Sequence, residues 1–69
     1  MTVHAQVIKV HAGSKSAHAV TDAGVRIFCH ASELQNERHF YLGMPLECVL
    51  EKANRDWECP RALLITKSA

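Results

Sequence analysis

Large rings are scarce in this 69-residue chain, which holds only Phe28, Phe40, Tyr41 and Trp57. A domain of this length buries only about 60% of the surface its unfolded chain exposes, so its core must be thin. Long apolar runs are missing as well. None approaches the roughly 18 residues that span a bilayer, and the opening Met1-Thr2-Val3-His4 has neither the basic nor the apolar region of a signal peptide. The expectation is a cytoplasmic protein with no membrane anchor. Cysteine is limited to Cys29, Cys48 and Cys59, an odd number with no C-x-x-C pair. That pattern fits neither the disulfide framework of a small secreted domain nor a closed zinc site. The three read instead as small apolar residues in the strands of a reduced protein.

A dominant charge is also absent. Eight Lys and Arg stand against seven Asp and Glu, for a net charge of +1. A domain that holds nucleic acid mainly by neutralising phosphates is usually far more basic. Such a partner would therefore be held with modest affinity or with help from the five histidines. Nucleophile and base pairs, paired carboxylates at a useful spacing and a glycine-rich phosphate cradle are all missing. An enzyme is not expected, nor a cofactor or a metal site.

What is present is an ordinary globular composition, 48% apolar and 22% charged, which argues against disorder. One domain spanning 1–69 is expected. Glycines, prolines and polar pairs cut the chain into short pieces of period-two character, a β pattern. The first strand runs over about Val3 to His11, with Val3, Ala5 and Val7 on one face. Gly13-Ser14-Lys15-Ser16 is a turn by composition, and a second strand covers about Ala17 to Thr21. Asp22-Ala23-Gly24 forms a hairpin loop, and Val25 to His30 returns as the third strand. Ser32 can cap a single helical turn, with Gln35 closing a capping box. Phe40, Tyr41 and Leu42 then lie in a polar loop, placed to tuck under it as a lid. Met44 to Ala53 is the fourth strand, Asn54-Arg55-Asp56 a turn, and Trp57 to Thr66 the fifth. Pro60 inside that last strand suggests an edge or a bulge. A three-strand meander, a longer connection and a final pair fit an all-β, five-stranded antiparallel barrel, closed or partly open, with one helical turn after the third strand.

The order of elements and the residues resemble the cold-shock domain, an OB-fold family that binds single-stranded RNA or DNA. The resemblance covers nearly the whole chain. "AQVIKV" stands at the family's first strand, "GSKSAHAV" at its first ribonucleoprotein motif K-G-F-G-F-I, and "VRIFCHASEL" at its second, D-V-F-V-H-x-S-x-L. "LGMPLECVLE" and "WECPRALLI" are similar to the family's later strands. The third strand with its turn is the specific part.

Against that pattern the chain is depleted. Val10 and His11 stand where the family has Trp and Phe, Ala17 and Ala19 replace the two aromatics of the first motif, and His18 replaces the glycine between them. Family aromatics stack successive bases for about 1–3 kcal/mol each. Losing three or four such stacks would weaken binding by about two to three powers of ten.

The candidate nucleic-acid-binding residues are accordingly Lys9, His11, Lys15, His18, Arg26, Phe28 and His30. Phe28 and His30 fall on the same side of a strand, because side chains alternate. A phenyl face can stack on a base, and an imidazole can stack, bond a base edge or, when protonated, approach phosphate. The same two side chains could instead meet a packed oligomer contact. His11 and His18 can lie across from one another beside Lys9, Lys15 and Arg26, making a face that gains charge below about pH 6.5. Trp57 is open between a displaced stacking residue, an interface anchor and a cover over the barrel end. Two functions are therefore expected. One is a module that binds single-stranded nucleic acid with little sequence preference. The other is a protein-interaction or oligomerisation module, a homodimer or a regulator or inhibitor of another protein, that uses Val10, Ala17 and Ala19 as a flat apolar face.

Overall fold

A computed structural model describes residues 2–51 and 59–68. Five strands carry the fold: β1 Thr2–Val10, β2 Ser16–Thr21, β3 Arg26–His30, β4 Pro45–Glu51 and β5 Arg61–Lys67. They close into a barrel in the order β1-β2-β3-β5-β4, an OB-like arrangement, with a 3-10 turn at Ala31–Glu33 after β3 and another at Ala12–Ser14 between β1 and β2. Among the described residues no helix is long and apolar enough to cross a membrane.

The pairing corrects one part of the expected architecture. Four of the five seams are antiparallel, and the fifth, β3 to β5, is parallel. Geometry requires this. Directions alternate around an all-antiparallel ring, and alternation cannot close on an odd number of strands. The parallel seam is short, with Phe28 paired to Arg61 and the Phe28 N–H donating to the Pro60 carbonyl at 2.9 Å.

Period-two alternation builds the core on β1 to β4, and on β5 the irregularity at Leu64 lengthens the step from Ala62 to Ile65. Ala5 and Val7 of β1, Ala17 and Ala19 of β2, Ile27 and Cys29 of β3, Leu46 and Cys48 of β4, and Ala62 and Ile65 of β5 all point inward. Small residues on β1 and β2 face larger ones on β3 to β5, as a narrow barrel interior needs. Full burial of a side chain such as Ile27 contributes on the order of 1.5–3 kcal/mol. Phe40 closes the interior as expected, being 3% exposed, whereas Tyr41 and Leu42 of the same loop are exposed. Tyr41 instead lies under the Lys67 ammonium, whose nitrogen is 5.5 Å from the ring centre.

The turns follow their glycines. Gly13 and Gly24 take φ of 82° and 83°, left-handed values that cost glycine little. After β3 the cap differs from expectation. His30, not Ser32, precedes the 3-10 turn, and its Nδ1 accepts the Ser32 backbone N–H at 3.1 Å. Gln35 closes no capping box and donates to the Glu33 carbonyl at 2.8 Å. β5 begins after Pro60 rather than running through it. The expected turn Asn54–Asp56, residue Trp57 and the end of the fourth strand at Ala53 lie outside the described residues.

Candidate nucleic-acid interface

The outer face of β1, β2 and β3 is built by the residues that the core leaves out. On β3 the exposure pattern turns Arg26, Phe28 and His30 outward around buried Ile27 and Cys29. On β2 it turns Ser16, His18 and Val20 outward around Ala17 and Ala19. Cross-strand register then sets His18 opposite Phe28 and Ser16 opposite His30. On β1 the register shifts between Val7 and Lys9, a bulge that brings Lys9 opposite His18 and Val10 opposite Ala17. Without that extra residue, period two would send Lys9 inward with Val7.

This placement corrects the expected outward position of Ala17 and Ala19. Ala17 and Ala19 are core residues with no exposure, so they do not stand at emptied stacking positions, and they offer no flat apolar face to a partner. Val10 is half-buried and packs against the same core. The ring that β2 turns outward is His18. One residue of register separates the two readings, and one residue is enough to exchange the faces of a strand.

Three rings meet on the face. His18 and Phe28 lie edge to face, with centroids 5.5 Å apart and planes at 67°. His11 and His18 are also T-shaped, at 5.0 Å and 74°. His11 and Phe28 are 6.5 Å apart and tilted by 39°. His11 is held here by the end of the β1–β2 hairpin, where its backbone N–H donates to the Ser16 carbonyl at 3.0 Å. A hydrogen bond of 3.1 Å joins His11 Nε2 to His18 Nδ1, one nitrogen donating and the other accepting. His18 is held below its usual 6.5 first by burial of the ring, then by the charges of Arg26, His11 and Lys9.

Phe28 and His30 share a face, as the strand alternation predicts, but His30 stands outside the ring cluster. Its Nδ1 is taken by the Ser32 N–H and lies 2.9 Å from the Ser32 hydroxyl. A nitrogen that accepts a backbone N–H carries no proton of its own. The neutral imidazole is therefore the Nε2–H tautomer, a donor that the exposed ring presents outward. Lys9, Lys15 and Arg26 are all exposed around the rings, and the Lys15 carbonyl accepts the Ala31 N–H at 2.7 Å, tying the β1–β2 turn to the end of β3.

Arg61 is a member that sequence reasoning missed. It pairs with Phe28 across the parallel seam and is exposed beside buried Ala62, so it brings a cation from β5 to the level of Phe28, with Glu51 of β4 as its partner on the other side. Only the non-local β3–β5 pairing reveals it. Charge is also segregated in a way that the net value conceals. Strands β1, β2 and β3 contain no Asp or Glu, while β4 carries Glu47 and Glu51.

Cys29 and Cys48 behave as core, whereas Cys59, expected in a strand as well, lies ahead of β5 and is half-buried. Burial, and secondarily the nearby Cys48, pushes the Cys29 thiol up to about 12, and burial alone raises Cys48. Both stay protonated near neutrality and are poor nucleophiles. Among the described residues no three His, Cys, Asp or Glu side chains gather as a ligand set for a metal. A separate open groove of about 330 Å³ lies at the far end of β1 and β2, lined by Val3, Thr21, Ala23, Val25 and Leu50.

Fold and face together define a small OB-like barrel with a three-ring, carboxylate-free strand surface. Compared with known families and curated proteins, the chain matches no family model and no curated protein.

Proposed function

We propose that this protein binds single-stranded nucleic acid with little sequence preference, by the outer face of β1, β2 and β3. One observation carries the reading. Phe28, His18 and His11 form a contiguous half-buried ring surface framed by Lys9, Lys15 and Arg26, with no carboxylate on β1, β2 or β3, and Arg61 of β5 lies beyond them opposite Glu51 of β4. Rings accept the π-face of any base, and the surrounding cations follow the backbone, which is the combination that holds single strands without reading their sequence. The resemblance to cold-shock domains points the same way. Each bound strand would be kept unpaired by stacking and charge alone, with no enzymatic cycle, in the cytoplasm.

The rival reading, a protein-interaction module, loses the apolar face on which it rested, because Ala17 and Ala19 are interior. Fluorescence anisotropy of labelled single-stranded RNA and DNA oligonucleotides, titrated at low and at higher salt, tests the proposal. Saturable binding in the micromolar range or tighter that weakens with salt is expected. No binding at low salt would overturn it.

A further inference from the structure

Most of the outer face is explained by stacking and charge, but the His11–His18 hydrogen bond is not. Neither a stacking platform nor a cationic rim needs two imidazoles joined nitrogen to nitrogen at 3.1 Å. Such a bond uses one N–H and one lone pair. A neutral pair satisfies it, and so does a pair carrying one added proton. A second added proton would set two N–H groups against each other and break the contact. While it stays closed, the pair is therefore a site for one proton and not two.

The groups around the pair make that proton depend on an anion. From β1, Lys9 is the cross-strand partner of His18. From β3, Arg26 acts on the same ring, Phe28 packs against its edge and His30 ends the strand. Lys15 stands exposed ahead of β2, and Arg61 of β5 sits at the level of Phe28. All the charged groups here are basic, and no carboxylate on these three strands offsets them. A proton on His18 is opposed in the free protein first by burial of the ring and then by these charges. A phosphodiester lying between Lys9 and Arg26 would offset the part due to charge and accept a hydrogen bond from the charged pair.

Resting on the proposed binding of single strands, we infer that the His11–His18 pair is a phosphate subsite that takes up one proton as the strand binds. Phe28 then supplies the base subsite and the histidine pair supplies the backbone subsite beside it. Strand affinity follows the proton by linkage, because whatever favours the charged pair favours the bound strand equally. One proton allows at most about tenfold in affinity per pH unit.

The test is anisotropy with one labelled oligonucleotide across pH 5.5 to 7.5, on the parent chain and on the double variant His11→Phe/His18→Phe, which keeps both rings and removes the proton site. The parent is expected to gain roughly tenfold in affinity over that range. Its salt slope should also steepen at the acid end by about 0.7, the value of one added phosphate contact on a single strand. The double variant, whatever its affinity at pH 7.5, should lose both effects. Calorimetry of the parent at pH 6.5 in two buffers of different ionisation heat reads the proton directly and does not depend on the variant folding. An uptake of about half a proton, the mean slope of that tenfold gain over two pH units, is expected.

Binding that ignores pH, zero uptake, or a double variant as pH-sensitive as the parent would overturn the inference while leaving the proposed function standing. An acid gain without a steeper salt slope would assign the proton to a base contact and overturn the phosphate assignment. Absence of binding at every pH would overturn both.

Discussion

His18 and Phe28, partners across the β2–β3 seam, meet edge to face with their centroids 5.5 Å apart. Aromatic pairs of this geometry are worth about 0.5–1.5 kcal/mol beyond the area they bury, so Phe28 serves the fold as well as the proposed ligand. Phe28→Ala should weaken oligonucleotide binding by about 1–3 kcal/mol, the value of one lost base stack. It should also lower stability, and a denaturation cycle with His18→Ala should return a coupling of about 0.5–1.5 kcal/mol. Binding must be read where circular dichroism shows the variant folded. Unchanged affinity there would remove Phe28 from the interface.

The cations around the rings make a separate prediction. Each phosphate contact on a single strand contributes about 0.7 to the slope of log K against log salt. Lys9→Gln and Arg26→Gln should each reduce that slope by about 0.7, whereas Lys67→Gln, whose ammonium lies over Tyr41, should leave it unchanged. Titrations at four salt concentrations resolve the difference. Equal slopes for all three variants would detach the face of β1 to β3 from the backbone of the strand.

Much of this architecture was legible in the residues, and the failures are specific. The five strands, the hairpin glycine at Gly24, the turn after β3 and the contact of His11 with His18 follow from period and turn chemistry, which are local. The parallel β3–β5 seam was not read: the strands were expected to be antiparallel throughout, and although five closed strands must include a parallel seam, nothing local says which pair forms it. The faces of β2 were misassigned because a motif alignment has no inward direction. Ala17 and Ala19 look like lost aromatics in an aligned string, and only the bulge after Val7 and the pairing of Val10 with Ala17 put them inside. Arg61 could not be placed beside Phe28 from sequence, because the two are far apart in the chain and meet only across the short parallel seam.

Leu64 is the one residue other than glycine with a positive φ among those described, at 50°, and it sits in β5 where the register against β4 shifts. Its N–H donates to Glu33 Oε1 at 3.2 Å, which fastens the bulge to the 3-10 turn. The left-handed conformation costs a side chain about 1–2 kcal/mol, and at 61% exposure the Leu64 side chain returns little of that by burial. Leu64→Gly should therefore stabilise the protein by about 0.5–1 kcal/mol, after the extra chain entropy of glycine is subtracted. Leu64→Ile should destabilise it, because β-branching suits this region least. Thermal melts decide the order, and a glycine variant less stable than the parent would show that the leucine side chain holds the bulge.

Stability of the free protein should fall in mild acid, and the sign comes from His18. Burial, then Arg26, His11 and Lys9, lower its folded pKa beneath the ordinary 6.5. Above about 6.5 the ring is neutral in both folded and unfolded chains, and the native packing keeps its full advantage. As pH falls through that value the unfolded chain takes the proton first, so the advantage shrinks and continues to shrink until the folded His18 is also charged. Urea midpoints followed by circular dichroism should thus drop between pH 7.5 and 5.5, and His18→Gln should drop less. If the variant loses as much as the parent, His18 is not the origin of the acid sensitivity. Oligonucleotide added at saturating concentration should reverse the trend in the parent, because a strand that brings a phosphate to His18 favours the protonated folded state that the bare barrel resists.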